Sequence, residues 1–304
     1  MFKITKIMKT KKIIITVISI VFSLSLLSCN KTNETIETTP EQQSDQKDEK
    51  AASDAVTVAK EETTTQFIFA DVFNQVDKAV KETNGDLNGG SKSNKSGYPN
   101  FSITPFDLTS WPKTVTIDFG SQNYLCEDGI QRRGKIIVET SDWYANEDCI
   151  TTISFDNYFV NNYKVEGLKT ITNNGRNNAG NINYTVEVED AIITSPDGYQ
   201  NYWSSTRNHE WTAGESTVLN PYDDEYDVTG YANGTNSEGT EYTITIVEKL
   251  NYLVGCEHTR SGIIDIDIEG LPTITVDFGD GDCDPDATVT VFGVAYPFVA
   301  GGIL

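Results

Sequence analysis

Histidine is nearly absent from this sequence: His209 and His258 are the only two among 304 residues. A multi-His metal centre or a His-based proton relay therefore has little to draw on. Basic residues are also scarce, with 23 Lys+Arg against 45 Asp+Glu and a formal net charge of −22. A nucleic-acid binder needs a basic face to displace phosphate counterions, so this balance argues against that class. No G-x-S-x-G elbow, H-E-x-x-H helix or P-loop occurs, which removes the common hydrolase and nucleotide-binding signatures. Paired glycosidase carboxylates can come from distant strands and leave no local spacing, so polysaccharide degradation stays open as an alternative. The leading expectation is a non-enzymatic role in binding or structural display.

What is present starts at the N-terminus. Lys3, Lys6, Lys9, Lys11 and Lys12 precede an apolar run from Ile13 to Leu27, which ends in Leu26-Leu27-Ser28-Cys29. The run is too short for a membrane span and reads as a signal peptide over residues 1–28. Its end resembles a bacterial lipobox, which implies cleavage before Cys29 and lipidation of that thiol, with palmitate among the acyl chains. Cleavage removes five lysines and no acid, so the mature chain is more acidic still. Acid excess opposes binding to anionic headgroups, and attachment to the membrane then rests on the acyl chains. The expected location is the bacterial cell envelope, at the outer membrane, on its surface or its periplasmic face.

Residues 29–65 carry few large apolar side chains and read as a disordered acidic tether. Phe69, Val72, Phe73, Val76 and Val80 fall at helical spacing, which predicts one short amphipathic helix over Ile68 to Lys81. Residues 66–100 would hold this helix and a flexible connector. From Phe101 to Leu304 the pattern switches to period two. Ile182, Tyr184, Val186 and Val188 share one face, as do Tyr242, Ile244 and Ile246, then Ile264, Ile266 and Ile268, then Ile274, Val276 and Phe278. Gly- and Asn-rich turns separate the runs. The expectation is an all-β body, an antiparallel β-sandwich or meander of about a dozen strands, with a division into two subdomains near residue 195 as an option. Thr114–Gly120 and Thr273–Gly279 echo each other as T-x-T-x-D-F-G, two equivalent strand-plus-loop units.

With Cys29 assigned to lipid, four cysteines remain in an oxidising compartment, enough for two disulfides. Hairpin geometry places Cys256 and Cys283 at the same end of the sheet and pairs them. Cys126 and Cys149 are then left to pair, although strand 134–143 separates them and the 121–133 loop would have to fold back. Asp280, Asp282, Asp284 and Asp286 put carboxylates at every second position, a spacing that offers a Ca2+ site or a solvated acidic loop. A calcium-stiffened adhesin is the function that site would imply. Trp143, Tyr199, Tyr202, Trp203 and Trp211 offer an aromatic platform for glycan capture, against the alternative of core packing. His209 and His258 read as surface or interfacial residues, because the adjacent Glu in each pair points to the other face.

Two resemblances follow from these residues. Val276–Gly281 resembles the turn of PKD-type modules, which implies an extracellular β-sandwich, but the later His-x-Tyr and Gly-x-Tyr elements are missing. Trp111–Gly120, Cys126-x-Asp128-Gly129, Arg133–Ile136, Phe155–Tyr158, Lys164–Gly167, Ser205–Arg207 and Gly279–Gly281 together resemble uncharacterised lipoproteins of Bacteroidota. That likeness spans most of residues 111–292 and implies lipid anchorage and an envelope setting; separately, a glycan or an envelope protein is the expected partner, and the acid excess argues against nucleic acid. It implies no particular chemistry.

Overall fold

A computed structural model describes residues 40–89, 99–107, 109–217 and 220–301. The signal peptide, Cys29 and the tether as far as Thr39 lie outside the described residues, as do 90–98 of the connector. Among the described residues no helix is long and apolar enough to cross a membrane.

Period-two alternation becomes one continuous antiparallel sheet. After helix α1 (Pro40–Gly89) come β1 (Asn100–Thr104), β2 (Lys113–Asp118), β3 (Tyr124–Leu125), β4 (Gln131–Thr140) and β5 (Ile150–Val160). There follow β6 (Tyr163–Arg176), β7 (Ile182–Thr194), β8 (Gln200–Ala213), β9 (Glu225–Thr235) and β10 (Glu241–Leu253). The last four are β11 (Ser261–Ile268), β12 (Ile274–Asp280), β13 (Asp286–Val291) and β14 (Val294–Val299). Each strand pairs with the next in sequence, except that β2 pairs directly with β4 and short β3 sits beside β4. The fold is therefore a meander, with all 14 strands in one sheet. Ladder pairing runs through Thr194↔Gln200, and the chain from Glu41 onward is one unit. This corrects the division near residue 195.

The four expected alternating runs bury the residues assigned to their inner faces. The echoed segments also do the same job twice. Asp118 at the end of β2 and Asp277 within β12 each accept a hydrogen bond from the backbone N–H two residues on, at Gly120 and Gly279.

A flat sheet this wide could not enclose a core, and a row of β-bulges curls it. Register shifts lie between Arg133 and Lys135, Glu166 and Leu168, Val188 and Ala191, Thr245 and Leu250, and Ser261 and Ile263. Gly134 shows why the sequence places glycine there. Its φ is +81°, and a Cβ would stand 1.9 Å from the Asn157 carbonyl oxygen. Gly262, at φ +111°, meets the Lys249 carbonyl in the same way.

Helix α1 corrects the tether and the short helix together. It is described from Pro40, a residue with no N–H to leave unpaired in a first turn, and covers residues expected to be disordered. The reason is a stripe of fixed spacing: Ala51, Ala55, Val58, Glu62, Thr65, Phe69, Val72, Val76 and Ala79 are all buried. Steps of four and three keep one helical face on the sheet. That face joins residues from β2 through β14 in a single core. Glu61 receives the Ser237 N–H at 2.8 Å, and Lys78 lies 4.0 Å from Glu127. Both partners belong to loops at the same end of the strands, so α1 crosses that end of the curled sheet.

The disulfide Cys256–Cys283 is formed, with a Cα–Cα distance of 5.9 Å, and it ties the β10–β11 loop to the β12–β13 loop at the opposite end. Closing 27 residues of sequence constrains the unfolded chain by about 3–4 kcal/mol. Reduction with dithiothreitol should lower the melting temperature by roughly 10 °C, measured by circular dichroism. Cys126 and Cys149 are free thiols, which corrects the second pairing. Cys126 sits before β4, while Cys149 packs on Thr140 at the far end of that strand. Ten extended residues separate these positions by about 30 Å, far beyond the ~4.4–6.8 Å a disulfide spans.

Candidate functional site

With α1 across one end of the sheet, a cavity of about 310 Å3 remains between the helix and the strands. It reaches the loops at the other end, where Trp111, Asp142, Trp143, Tyr144, Asp224 and Cys256 line it. The volume is at the lower end of the range of small-molecule sites, roughly 300–1,000 Å3.

The walls come from alternate residues of neighbouring strands. Ile171 on β6, Val186 and Val188 on β7 and Val138 on β4 supply aliphatic surface, while α1 supplies Phe69, Ala70, Phe73 and Val76. Phe69 stacks on Trp203 at 5.5 Å between ring centroids. Trp203 is held in turn by its indole N–H, which donates to Glu62 at 2.7 Å.

Polar side chains interrupt this surface. Lys169 on β6 is 5% exposed, and its ammonium donates to the Phe69 carbonyl oxygen at 3.1 Å. Among the described residues no carboxylate lies within 4.0 Å of it. Burial, with Arg207 nearby, lowers its pKa to about 7. Arg207 on β8 reaches Glu62 at 3.2 Å through Nη2, but its Nε–H is buried without a partner among the described residues. The hydroxyl of Tyr184 on β7 is likewise buried and unpartnered, and burial holds it protonated.

His209, expected at the surface or an interface, is half-buried and lines the same cavity. Burial, Lys169 and Arg207 together lower it to about 3, so it is neutral. Burial pushes the Glu62 carboxyl up, against the opposing pull of Arg207. By contrast, Lys113 at the rim is fully engaged, donating to the Asp107 and Pro105 carbonyl oxygens at 2.6 and 3.3 Å. It holds the β1–β2 loop.

The aromatic platform is not assembled. Tyr202 and Trp203 are neighbours on one strand and so face opposite sides: the first is 47% exposed, the second 4%. Trp211, at 5%, packs with Tyr184 and Tyr226 in a separate small cluster. Tyr199 stands 65% exposed in the β7–β8 turn, at the end opposite Trp143. Of these five aromatic residues, Trp143 and Trp203 line the cavity. Asp280, Asp282, Asp284 and Asp286 spread along the end of β12, its following loop and the start of β13. Among the described residues no group of three or more His, Cys, Asp or Glu side chains is placed to hold a metal ion.

No family model, curated protein or solved structure matches the chain. Its site is read from its own side chains. Sequence reasoning missed Lys169, Tyr184 and the inward role of Arg207. The signal for Lys169 was a lysine in phase with Ile171, on the face that strand alternation turns inward.

Proposed function

We propose that the chain is a lipid-anchored protein of the bacterial cell envelope whose body binds a small amphiphilic molecule, without catalysing a reaction. The observation that carries the binding role is the cavity beneath α1, apolar over most of its wall and provided with unpartnered buried donors. Specific small-molecule sites have this composition, a hydrophobic lining with a few placed polar groups. The anchor is supported by the lysine-rich start and the apolar run that closes on Leu26-Leu27-Ser28-Cys29. Glycan capture draws no support from aromatic side chains that diverge, and a calcium-stiffened adhesin draws none from acids that do not converge.

The test of binding is uptake of the apolar dye N-phenyl-1-naphthylamine by the folded protein. Dye fluorescence should rise on addition of protein, and Val186→Phe, which fills the cavity, should reduce the uptake at least fivefold while leaving the melt cooperative. Equal uptake by wild type and variant would place the dye elsewhere and defeat the reading. For the anchor, labelled palmitate should be incorporated into the wild-type chain and not into Cys29→Ala.

A further inference from the structure

We propose that the cavity selects a single-chain carboxylate, with the carboxylate group received by the Lys169 ammonium and the Arg207 Nε–H and the chain lying along the apolar wall toward the rim. This rests on the binding role just proposed and names the chemistry of its ligand. An ammonium has three donors, and Lys169 spends one on the Phe69 carbonyl oxygen. A buried cation without a counter-ion is costly to maintain. Its neighbour Arg207 shares its charge with Glu62 but leaves Nε–H unspent. The Tyr184 hydroxyl is a further unspent donor in the same cavity.

Charge distribution favours one negative charge and no more. The rim carries Asp107, Asp142 and Asp224, and the whole chain has a net charge of −22. A phosphate dianion would meet repulsion on entry and find too few donors inside. An alcohol would leave the ammonium uncompensated. Between Lys169 and Asn173 the cavity follows β6 for about 13 Å at ~3.3 Å per residue, and the rim loops extend it. Decanoate is a suitable length of probe.

The experiment titrates the purified protein at pH 6 with decanoate, decanol, decyl phosphate and decyltrimethylammonium. Isothermal calorimetry and intrinsic tryptophan fluorescence follow binding. Decanoate should bind at least tenfold more tightly than each of the others. Lys169→Met should lower decanoate affinity to that of decanol and change decanol affinity less than threefold, whereas Lys169→Arg should keep most of the preference. Equal binding of decanoate and decanol would overturn the carboxylate assignment and leave the cavity's binding role standing, and tighter binding of decyl phosphate or of the ammonium compound would do the same. Binding of none of the four would remove the binding role itself. Should Lys169→Met fail to fold, the wild-type ratios and Lys169→Arg still decide the matter.

Discussion

A chain that starts at Gln66 is expected not to fold, whereas one that starts at Pro40 should melt cooperatively. The shorter chain keeps every strand, but it loses Ala55, Val58 and Ala59 from the core and Glu62 from its centre. Glu62 is the acceptor for the Trp203 indole, the Arg207 guanidinium and the Gln66 amide, at 2.7, 3.2 and 2.7 Å. Without it the Arg207 charge is buried alone, and removing one partner of such a pair costs about 3–5 kcal/mol. Thr65 adds to the loss, since it accepts from Asn201 at 2.8 Å. In the full chain, Glu62→Ala isolates this term and should lower stability by that same ~3–5 kcal/mol in urea titration. Identical melts for the two lengths would return residues 40–65 to the role of a tether.

Asp71→Ala should cost roughly 3 kcal/mol, and the double variant Asp71→Leu with Arg132→Met should recover most of it. Arg132 is fully buried on β4 and binds Asp71 through both Nε, at 3.0 Å, and Nη2. Asp128 also reaches it at 2.9 Å, so the cost sits at the lower end of the range for a broken buried pair. Burial works against the guanidinium charge, but Asp71 and Asp128 more than restore it and hold its pKa above the usual value. Tyr158 adds its hydroxyl to Asp71 at 3.4 Å. Recovery in the double variant follows because two apolar side chains need no partners, whereas one stranded ion does. Urea denaturation of the three proteins measures it. A double variant as unstable as the single one would mean that the pair contributes through geometry, not through avoided desolvation.

These two anchors explain where reading the sequence stopped short. Glu62 and Asp71 sit on the buried face of α1, but acids are ordinarily solvated, and a stretch rich in Glu, Thr and Ala passes for disordered. The stripe from Ala51 to Ala79 was present in the sequence all the same. It was hidden because Ala, Thr and Glu occupy positions where Leu or Ile would have announced a helix. The strands were legible for the opposite reason. A half-buried strand writes its inner face in every second residue, and Ile264, Ile266 and Ile268 could be assigned without a partner in view. Cys256 and Cys283 were legible too, because a hairpin returns the chain to the same end of the sheet.

Lys169 marks the limit of that method. Alternation says which face it occupies, but whether an inward lysine meets an acid, a carbonyl or an empty space depends on strands and a helix far away in sequence. The same holds for the aromatic residues: composition could propose a platform, but only the assembled sheet buries Trp203 and Trp211 in different clusters and leaves Tyr199 and Tyr202 exposed. The sequence by itself determined the all-β antiparallel architecture, the turns and the disulfide, because these follow from local periodicity and short loop closure. Only the tertiary structure decided that α1 lies across a curled sheet, that Glu62 and Asp71 hold it there, and that a cavity with uncompensated donors remains beneath it. Burial and charge pairing between distant segments are properties of the assembled chain, and no local pattern records them.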